Sequence, residues 1–480
     1  MRPVQPSTWQ HATAGVVMNT VTLPTVAADI DRQGGTAPSA WRCRLRRGWC
    51  LLPLALIIFF TLIDYPYLSA KIRTPPHQAA DPMMMVSESA MLQTSNAGHG
   101  FRQAVFGTAF LLAVLGLWAP ERGMLELLSR QKLMLLFLTY ALLSIMWSPA
   151  PSLSLKRWIL FAGMLFAMCS AMRAATAAAQ AVRIMRGLFA FALLLSVLLY
   201  LWRPDVVTAP GGSFFVKAGT WQGIFWHKNS LASAALLAVA LWLPCLWSQA
   251  SRLERHLAPW VLLLVMFLAI KSGGKAALIG IIATIGFCLA LKFPLQGKIK
   301  LLLAYMGMAT IALWFLNFPQ LPFASDLQAT FQISGNLTGR VPLWQTLLEI
   351  FGQHPFLGVG YNAFWTASNL DHLSLIFAAH PWKPMQGHNG YIDILNQLGL
   401  VGGLLFFLVV MQSVWWAARS TFHAQDTSLT LCLLLFALLF INLVESYFCN
   451  SHSIVWVTFL LTHVALAKPP QLATHETSSS

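Results

Sequence analysis

Long apolar runs, separated by short polar segments, make up most of this chain. A helix needs about 20 apolar residues to cross the hydrocarbon core of a bilayer, and several runs approach that length. Such runs are too long for the strands of a membrane barrel. We therefore predict an all-α polytopic membrane protein with about twelve spans. The runs lie near residues 49–67, 103–119, 133–147, 158–172, 187–202, 229–247, 257–270, 275–292, 300–318, 397–417, 429–448 and 453–467.

Basic residues determine the predicted orientation. Several arginines between residues 42 and 47 precede the first run. When the N-terminus is placed inside, most of the 31 Lys and Arg residues fall on the inner side. Because basic loops remain in the cytoplasm, we expect both termini there.

The polar ends of the chain bracket a single apolar region. Residues 1–48 are polar, end in the basic run and predict a disordered cytoplasmic tail. Residues 49–467 predict the membrane domain, and residues 468–480 predict a second disordered cytoplasmic tail.

A large outer loop, residues 319–394, connects the ninth and tenth predicted spans. Connections beyond about 12–15 residues in a compact fold are usually functional or disordered. Segments 341–352 and 391–398 have helical patterning, so we expect short helices that form a small folded cap.

Composition supports the membrane class and argues against other partners. The chain is 57% hydrophobic and 10% charged, whereas soluble domains are about 25% charged. Basic inner loops account for much of the net charge of +15, so no nucleic acid is expected. The cysteines have no metal-binding spacing, and the Asp29–Asp31 pair lies in the N-terminal tail. We predict no metal site and no cofactor.

Four short polar motifs interrupt the apolar pattern, and the predicted topology puts all four on the outer face. A membrane surface that gathers His, Lys, Arg and Asn is suited to holding an anion and moving a proton. The motifs are Gly223–Asn229, Lys271–Lys275, Thr338–Arg340 and Gly387–Gly390.

Arg340 opens an amphipathic segment. Thr338 is a candidate N-cap, and Pro342 suits the first turn of a helix. Backbone N–H groups at a helix N-terminus favour an anion, and a guanidinium group binds phosphate with two parallel hydrogen bonds. The alternative is an arginine that snorkels to the membrane interface.

His388 precedes a second amphipathic segment, together with Asn389. Histidine has an unperturbed pKa of about 6.5 and accepts a proton from a hydroxyl group at neutral pH. Most single histidines have no catalytic role, and His354, His372 and His380 share the loop.

Two lysines complete the outer basic set. Lys228, with His227 and Asn229, lies where a polar loop enters a span, and its alternative is again a snorkelling residue. Lys275, with Ser272, lies in a short Gly-rich turn that lacks the full phosphate-loop spacing. This turn either faces an anionic head group or is only a tight turn.

The ordered set of motifs resembles the superfamily of O-antigen ligases and Wzy-type polymerases, and most of all its branch that polymerises exopolysaccharide repeat units. The resemblance covers residues 130–450. The matching segments are Leu143–Ser148, Gly219–Asn229, Lys271–Lys275, Leu337–Arg340, His354–Asn362 and Gly387–Tyr391.

The resemblance implies a metal-independent membrane glycosyltransferase of the GT-C type in a bacterial inner membrane. Its donor would be a polyprenyl-pyrophosphate-linked oligosaccharide and its acceptor a growing polysaccharide. Membrane lipids are also expected partners, and a chain-length regulator is left open. By this resemblance Arg340 binds pyrophosphate and His388 is the base. The implied catalytic residues are His388 and Arg340, and the implied substrate-binding residues are Lys228, Lys275, His227, Asn229, Asn389 and Ser272.

Tryptophans of the outer segments are candidate platforms for sugar rings. Trp221, Trp365 and Trp382 could stack on sugar faces, although an aromatic belt at the membrane interface explains outer tryptophans equally well.

Two other functions remain open. A ligase that transfers finished glycan to lipid A-core or protein would use the same chemistry on a different acceptor. A transporter of the lipid-linked unit predicts inverted repeats and charged residues at the membrane midplane. We find no repeat, and Glu445, near Asn442 at the outer end of a late run, is the notable carboxylate.

Overall fold

The computed structural model describes residues 40–63, 68, 100–115, 123–173, 176–209, 218–247, 250–291, 339–420 and 426–468. Apart from the first residues of α1, these residues belong to the larger of two units, Arg47–Ser480. The helices used below are α1 (Ala40–Leu62), α2 (Gly100–Leu115), α3 (Gly123–Arg130), α4 (Lys132–Leu143), α5 (Pro151–Ala171), α6 (Ala177–Trp202), α7 (Lys228–Trp242), α8 (Arg252–Ser272), α9 (Lys275–Ala290), α10 (Arg340–Phe351), α11 (Leu370–Ala379), α12 (Gly390–Ser420), α13 (Asp426–Ile441) and α14 (Ile454–Leu466).

The predicted all-helical architecture is confirmed for the described residues. Each predicted apolar run other than 300–318 overlaps a described helix. The run 300–318 and most of both predicted tails lie outside the described residues, so the count of about twelve spans stays a prediction. Five helices are long and apolar enough to cross a membrane, judged by length and composition: Pro151–Ala171, Ala177–Trp202, Lys228–Leu246, Arg252–Ser272 and Gly390–Arg419.

Helix α7 lies at the centre of the main core. Every residue from Leu231 to Trp242 is buried, and the helix packs against α6, α8, α9 and α13. Small residues permit the close approach. A Cβ atom on Gly280 of α9 would lie 2.9 Å from both Leu236 of α7 and Phe440 of α13. Close packing through small residues is typical of helix pairs in membranes, and here it fixes the position of the α7 N-terminus.

Helices α10 and α11 form a second, smaller core. Leu343 and Leu347 of α10 pack with Leu373 and Ile376 of α11, and all four side chains are buried. We call this part of the chain, residues 339–389, the cap. Helix α10 matches the predicted segment 341–352, whereas α11 adds a helix that the pattern did not predict.

The start of α10 differs from the prediction. The N-cap residue is Gly339, whose φ is 84°, and not Thr338, which lies outside the described residues. A positive φ is open to glycine without steric cost, so the chain enters the helix by backbone conformation rather than by a side-chain cap. Arg340 and Pro342 lie in the first turn, as predicted.

Helix α12 bends at Gly399, where φ is 64° and ψ is −167°. The bend accommodates the loop that follows α10. The N–H of Leu400 donates to the carbonyl oxygen of Pro355 at 2.7 Å, and a Cβ atom on Gly399 would clash with the backbone of Phe356. The predicted helix 391–398 is therefore the part of α12 before this bend.

Helix α13 ends earlier than the predicted span 429–448. Its last residue is Ile441, and the chain then turns through residues 442–453 before α14. The side-chain oxygen of Asn442 accepts the N–H groups of Tyr447 and Phe448, both at 3.0 Å, which stabilises this turn. Glu445 consequently lies in a loop and not in a helix.

Candidate functional site

One buried carboxylate, that of Glu445, joins three of the four polar motifs. Its Oε1 accepts hydrogen bonds from Arg340 Nη2 at 2.6 Å and from Asn229 Nδ2 at 2.7 Å. Its Oε2 lies 3.1 Å from Nδ1 of His388 and accepts from Gln386 Nε2 at 3.3 Å. Glu445 is 2% exposed. A buried charge needs such partners, and this requirement holds the motifs together.

The backbone of the His388 motif is docked on the Glu445 loop. The N–H of Gly390 donates to the carbonyl oxygens of Asn442 at 2.8 Å and Glu445 at 3.0 Å. A Cβ atom on Gly390 would lie 2.5 Å from Asn442 Oδ1. His388 itself has a φ of 48°, a left-handed conformation that is uncommon for a residue with a side chain. The imidazole is therefore positioned by a turn that this close docking stabilises.

Asn389 lies at the site but serves as a helix cap. Its Oδ1 accepts the N–H groups of Tyr391 at 3.0 Å and Ile392 at 3.2 Å, in the first turn of α12. Its own N–H donates to the hydroxyl of Ser446 at 3.0 Å. The described contacts of Asn389 therefore give it a structural role, that of stabilising the start of α12. Its predicted role in substrate binding stays a prediction.

Asp393 supports the same motif from within α12. Its carboxylate accepts the N–H of Gly387 at 3.1 Å and the indole N–H of Trp365 at 3.0 Å. The indole N–H of Trp344 donates to the carbonyl oxygen of Gly387 at 2.9 Å. Gly387 is needed because a Cβ atom there would clash with Asp393.

His227 caps the N-terminus of α7. Its Nδ1 accepts the N–H of Asn229 at 3.2 Å, which requires a neutral imidazole. Burial is the largest of the causes that lower the pKa of His227 to about 4; Glu445 opposes it, and the nearby charges of Lys228 and Arg340 act in the same direction as burial. His227 therefore contributes shape and a cap at neutral pH, and no positive charge.

The predicted lysines approach the site from two helix N-termini. Lys228 is the first residue of α7, and its charge interacts with those of Arg340 and Glu445. Lys275 is the first residue of α9 and lies close enough to Lys228 for the two charges to repel each other. Two positive charges held close together repel each other, and an anion that binds between them relieves this repulsion.

Ser272 stabilises the turn that precedes Lys275. It is completely buried, its hydroxyl donates to the carbonyl oxygen of Ala269 at 2.7 Å, and it accepts the N–H of Gly274 at 3.2 Å. Gly273 has a φ of 61°, and a Cβ atom on Gly274 would clash with Ala232 of α7. The described contacts of Ser272 belong to a tight turn packed on α7.

The charge of Glu445 determines which ring nitrogen of a neutral His388 carries the hydrogen. Burial alone would raise the pKa of this carboxyl group, but Arg340, His388 and His227 lower it to about 2. Glu445 is therefore ionised at neutral pH and only accepts hydrogen bonds. A neutral His388 must then carry its hydrogen on Nδ1, which leaves the lone pair on Nε2 to accept a proton.

Two residues of this site were missed by the sequence prediction. The sequence pattern places Glu445 at the outer end of a span and assigns no role to Gln386. The available signal was that Glu445 is an isolated acidic residue in a long apolar stretch, where a charge needs a partner. Among the described residues, no group of three or more His, Cys, Asp or Glu side chains could hold a metal ion.

Two comparisons with known proteins find similar sequences. A family model described as O-antigen ligase matches residues 230–407, which include Lys275, Arg340 and His388. The exopolysaccharide production protein ExoQ of Rhizobium meliloti (strain 1021) is 27% identical over 326 residues, which are 64% of this chain and 71% of that protein.

Proposed function

Because this chain is similar to O-antigen ligases over residues 230–407 and to an exopolysaccharide production protein, we propose that it is a membrane glycosyltransferase that polymerises lipid-linked oligosaccharide repeats into an exopolysaccharide. The donor would carry its sugar on polyprenyl pyrophosphate at the outer face of the inner membrane. The similarity to an exopolysaccharide production protein favours a polymer of this kind over other glycans.

The observation that carries the proposal is the placement of three cations. Lys228, Lys275 and Arg340 are each the first residue of a helix, where the helix dipole is already positive. A cation at that end of a helix is unfavourable because its charge adds to the positive end of the dipole. The three cations therefore create a region of strong positive potential. Backbone N–H groups at helix N-termini bind phosphate, and the cations strengthen that attraction.

The charges fit a pyrophosphate. Lys228, Lys275 and Arg340 contribute three positive charges, and Glu445 contributes one negative charge, which leaves a surplus of two positive charges. A pyrophosphate with a lipid on one end and a sugar on the other carries one negative charge on each phosphate. The group would therefore neutralise the surplus, and the cations would stabilise the charge that develops as it leaves.

His388 supplies the base of the proposed reaction. The acceptor hydroxyl oxygen attacks the anomeric carbon of the donor sugar and forms the new glycosidic bond. The bond between that carbon and the phosphate oxygen breaks, and its electron pair leaves with the lipid pyrophosphate. The hydroxyl proton passes to Nε2 of His388, while Nδ1 remains hydrogen-bonded to Glu445.

A ligase is the second candidate, because the same site would transfer a finished glycan to lipid A-core or protein. The size of the lipid-linked glycans in a cell that lacks this protein separates the two functions. Single repeats on the lipid, without long polymer, are expected for a polymerase. Long polymer that remains on the lipid would favour the ligase and contradict our proposal.

Substitutions test the site in the same cells. We expect Arg340→Ala and His388→Ala to abolish polymer while the proteins still accumulate in the membrane. Arg183→Ala and His256→Ala are matched controls, because both side chains are exposed on other helices, α6 and α8. Normal polymer in either site variant would refute the assignment. Loss of translocation with intact linkage would favour a transporter.

A further inference from the structure

We propose that Trp382 is the platform on which the sugar ring of the acceptor stacks. The inference rests on the proposed function and adds a specificity-determining residue to its site. It follows from the position of the Trp382 indole relative to the base.

Trp382 lies directly beside the proposed base. The centroids of its indole ring and the His388 imidazole are 5.7 Å apart, and the planes are inclined by 45°. A hydroxyl group that donates to Nε2 of His388 must lie within about 3 Å of that atom. The sugar ring that carries this hydroxyl then extends past the imidazole, and an aromatic ring at this distance is placed to contact its apolar face.

The indole packs within the cap. It packs against the buried cluster of α10 and α11, and its centroid lies 6.4 Å from that of His380. His380 is itself fixed, because its Nε2 lies 3.2 Å from the hydroxyl of Thr346 in α10. The helix that begins with Arg340 therefore also positions the Trp382 platform.

The other candidate tryptophans have structural contacts that explain them. Trp221 is 6% exposed and stacks on Tyr200 at 4.0 Å. Trp365 donates its indole N–H to Asp393 and so supports the His388 motif from behind. Neither ring has a described contact with the imidazole of His388, whereas Trp382 has one.

The surroundings of Trp382 suit a sugar better than a lipid chain. Lys383 is exposed beside it, and the half-buried Gln386 donates a hydrogen bond to Glu445. A saccharide has an apolar ring face and polar hydroxyl groups at its edge, so it is matched by an aromatic ring with polar side chains nearby. A lipid chain requires a continuous apolar surface.

The test compares two substitutions of nearly equal bulk. Trp382→Phe keeps an aromatic face, and Trp382→Leu keeps apolar volume without one. The donor is lipid-linked oligosaccharide extracted from cells that lack this protein. The acceptor probe is the oligosaccharide released by partial acid hydrolysis of the exopolysaccharide that the source cells produce. The purified full-length proteins are assayed in lipid vesicles.

We expect Trp382→Leu to raise the KM for the acceptor roughly tenfold, which corresponds to the loss of one aromatic stacking contact. The kcat and the KM for the donor should change little, and Trp382→Phe should retain most of the affinity. Trp260→Ala is the control for loss of a tryptophan, because Trp260 is 71% exposed on α8.

Three outcomes would overturn the inference. An unchanged acceptor KM in Trp382→Leu would show that Trp382 does not bind the acceptor sugar. A raised donor KM with an unchanged acceptor KM assigns the ring to the donor. A lower kcat alone makes Trp382 a residue that positions His388.

A binding measurement keeps the inference separate from the proposed function. Equilibrium binding of the acceptor oligosaccharide to the wild-type protein and to Trp382→Leu is measured by calorimetry without donor. If the wild-type protein transfers no sugar, the proposed function fails. The platform would still be supported by a weaker affinity in Trp382→Leu, and equal affinities would refute it.

Discussion

Arg340 and Glu445 form an ion pair with a distance of 2.6 Å between Nη2 and Oε1, although 105 residues separate them in the chain. Arg340 begins the first helix of the cap, and Glu445 lies in the loop between α13 and α14. The pair therefore ties the cap to the main helical core at the place where the proposed chemistry occurs. Removal of either partner should affect both stability and transfer.

We expect Glu445→Gln to lower the free energy of unfolding by about 3 kcal/mol, because it leaves the charge of Arg340 without its main partner. Arg340→Gln should cost a similar amount. The double variant should cost less than the sum, with a coupling energy of about 2 kcal/mol. Denaturant titrations in detergent micelles measure all four proteins.

The exposed pair of Glu126 and Arg130 is the control for this cycle. Their side chains are 65% and 38% exposed, so Glu126→Gln should cost at most about 1 kcal/mol. Additive effects of the two substitutions at Arg340 and Glu445 would show that the pair contributes no stability.

His227 predicts a loss of stability in mild acid. The unfolded chain binds a proton at this side chain near pH 6.5, whereas the folded protein does so only near its lowered pKa of about 4. The unfolded state therefore binds more protons between these pH values, and stability falls as the pH decreases through this window, by up to about 3 kcal/mol.

His227→Asn isolates this effect, because asparagine is a good N-cap and does not titrate. We expect its unfolding midpoint to change less than that of the wild-type protein between pH 6.5 and 4. Glu445, whose pKa is about 2, should contribute stability above its unfolded pKa near 4 and lose it only as the pH falls toward 2. Parallel pH profiles of the two proteins would contradict the role of His227.

Gly390→Ala should impair the site without a change of charge. The new Cβ atom would lie 2.5 Å from Asn442 Oδ1 and 3.0 Å from Phe448 Cδ2, so the His388 turn would have to move away from the Glu445 loop. We expect polymer synthesis to fall at least tenfold and the thermal midpoint to decrease.

Gly187→Ala is the matched control for that substitution. Gly187 is in α6, and no heavy atom beyond the adjacent backbone of that helix lies within 4 Å of a Cβ atom placed there. Alanine should stabilise that helix by up to about 1 kcal/mol and leave synthesis intact. Normal synthesis in Gly390→Ala would mean that the docking of the two loops is not required.

The sequence predicted the helices better than the roles of polar side chains. Apolar runs identify helices because a helix that is buried in a membrane or in a protein core needs apolar side chains along its length. Arg340 and His388 were predicted to meet because both interrupt the apolar pattern on one face. The central position of Glu445 depends on a turn that ends α13 at Ile441, and such a turn has no apolar signature. The caps made by His227 and Asn389 depend equally on local backbone geometry.

Ser272 and Lys275 test this distinction within one turn. Both were predicted to bind the substrate, but the described contacts of Ser272 are with the backbone of Ala269 and Gly274. Ser272→Ala should therefore lower the free energy of unfolding by about 1 kcal/mol and leave the KM for the donor unchanged. Lys275→Gln should raise the KM for the donor and leave the free energy of unfolding nearly unchanged, because the charge of Lys275 interacts with that of Lys228 at the proposed pyrophosphate site.

Lys275→Gln removes one cation near the doubly charged pyrophosphate of the donor, so the donor KM should rise roughly three- to tenfold. Added salt should reduce the difference in donor KM between the variant and the wild-type protein. Inorganic pyrophosphate, used as a competitor of transfer, should inhibit this variant less than the wild-type protein. Two results would contradict this argument. An increased donor KM in Ser272→Ala with normal stability would make the serine a binding residue. An unchanged donor KM in Lys275→Gln would leave Lys228 and Arg340 as the proposed cations of the site.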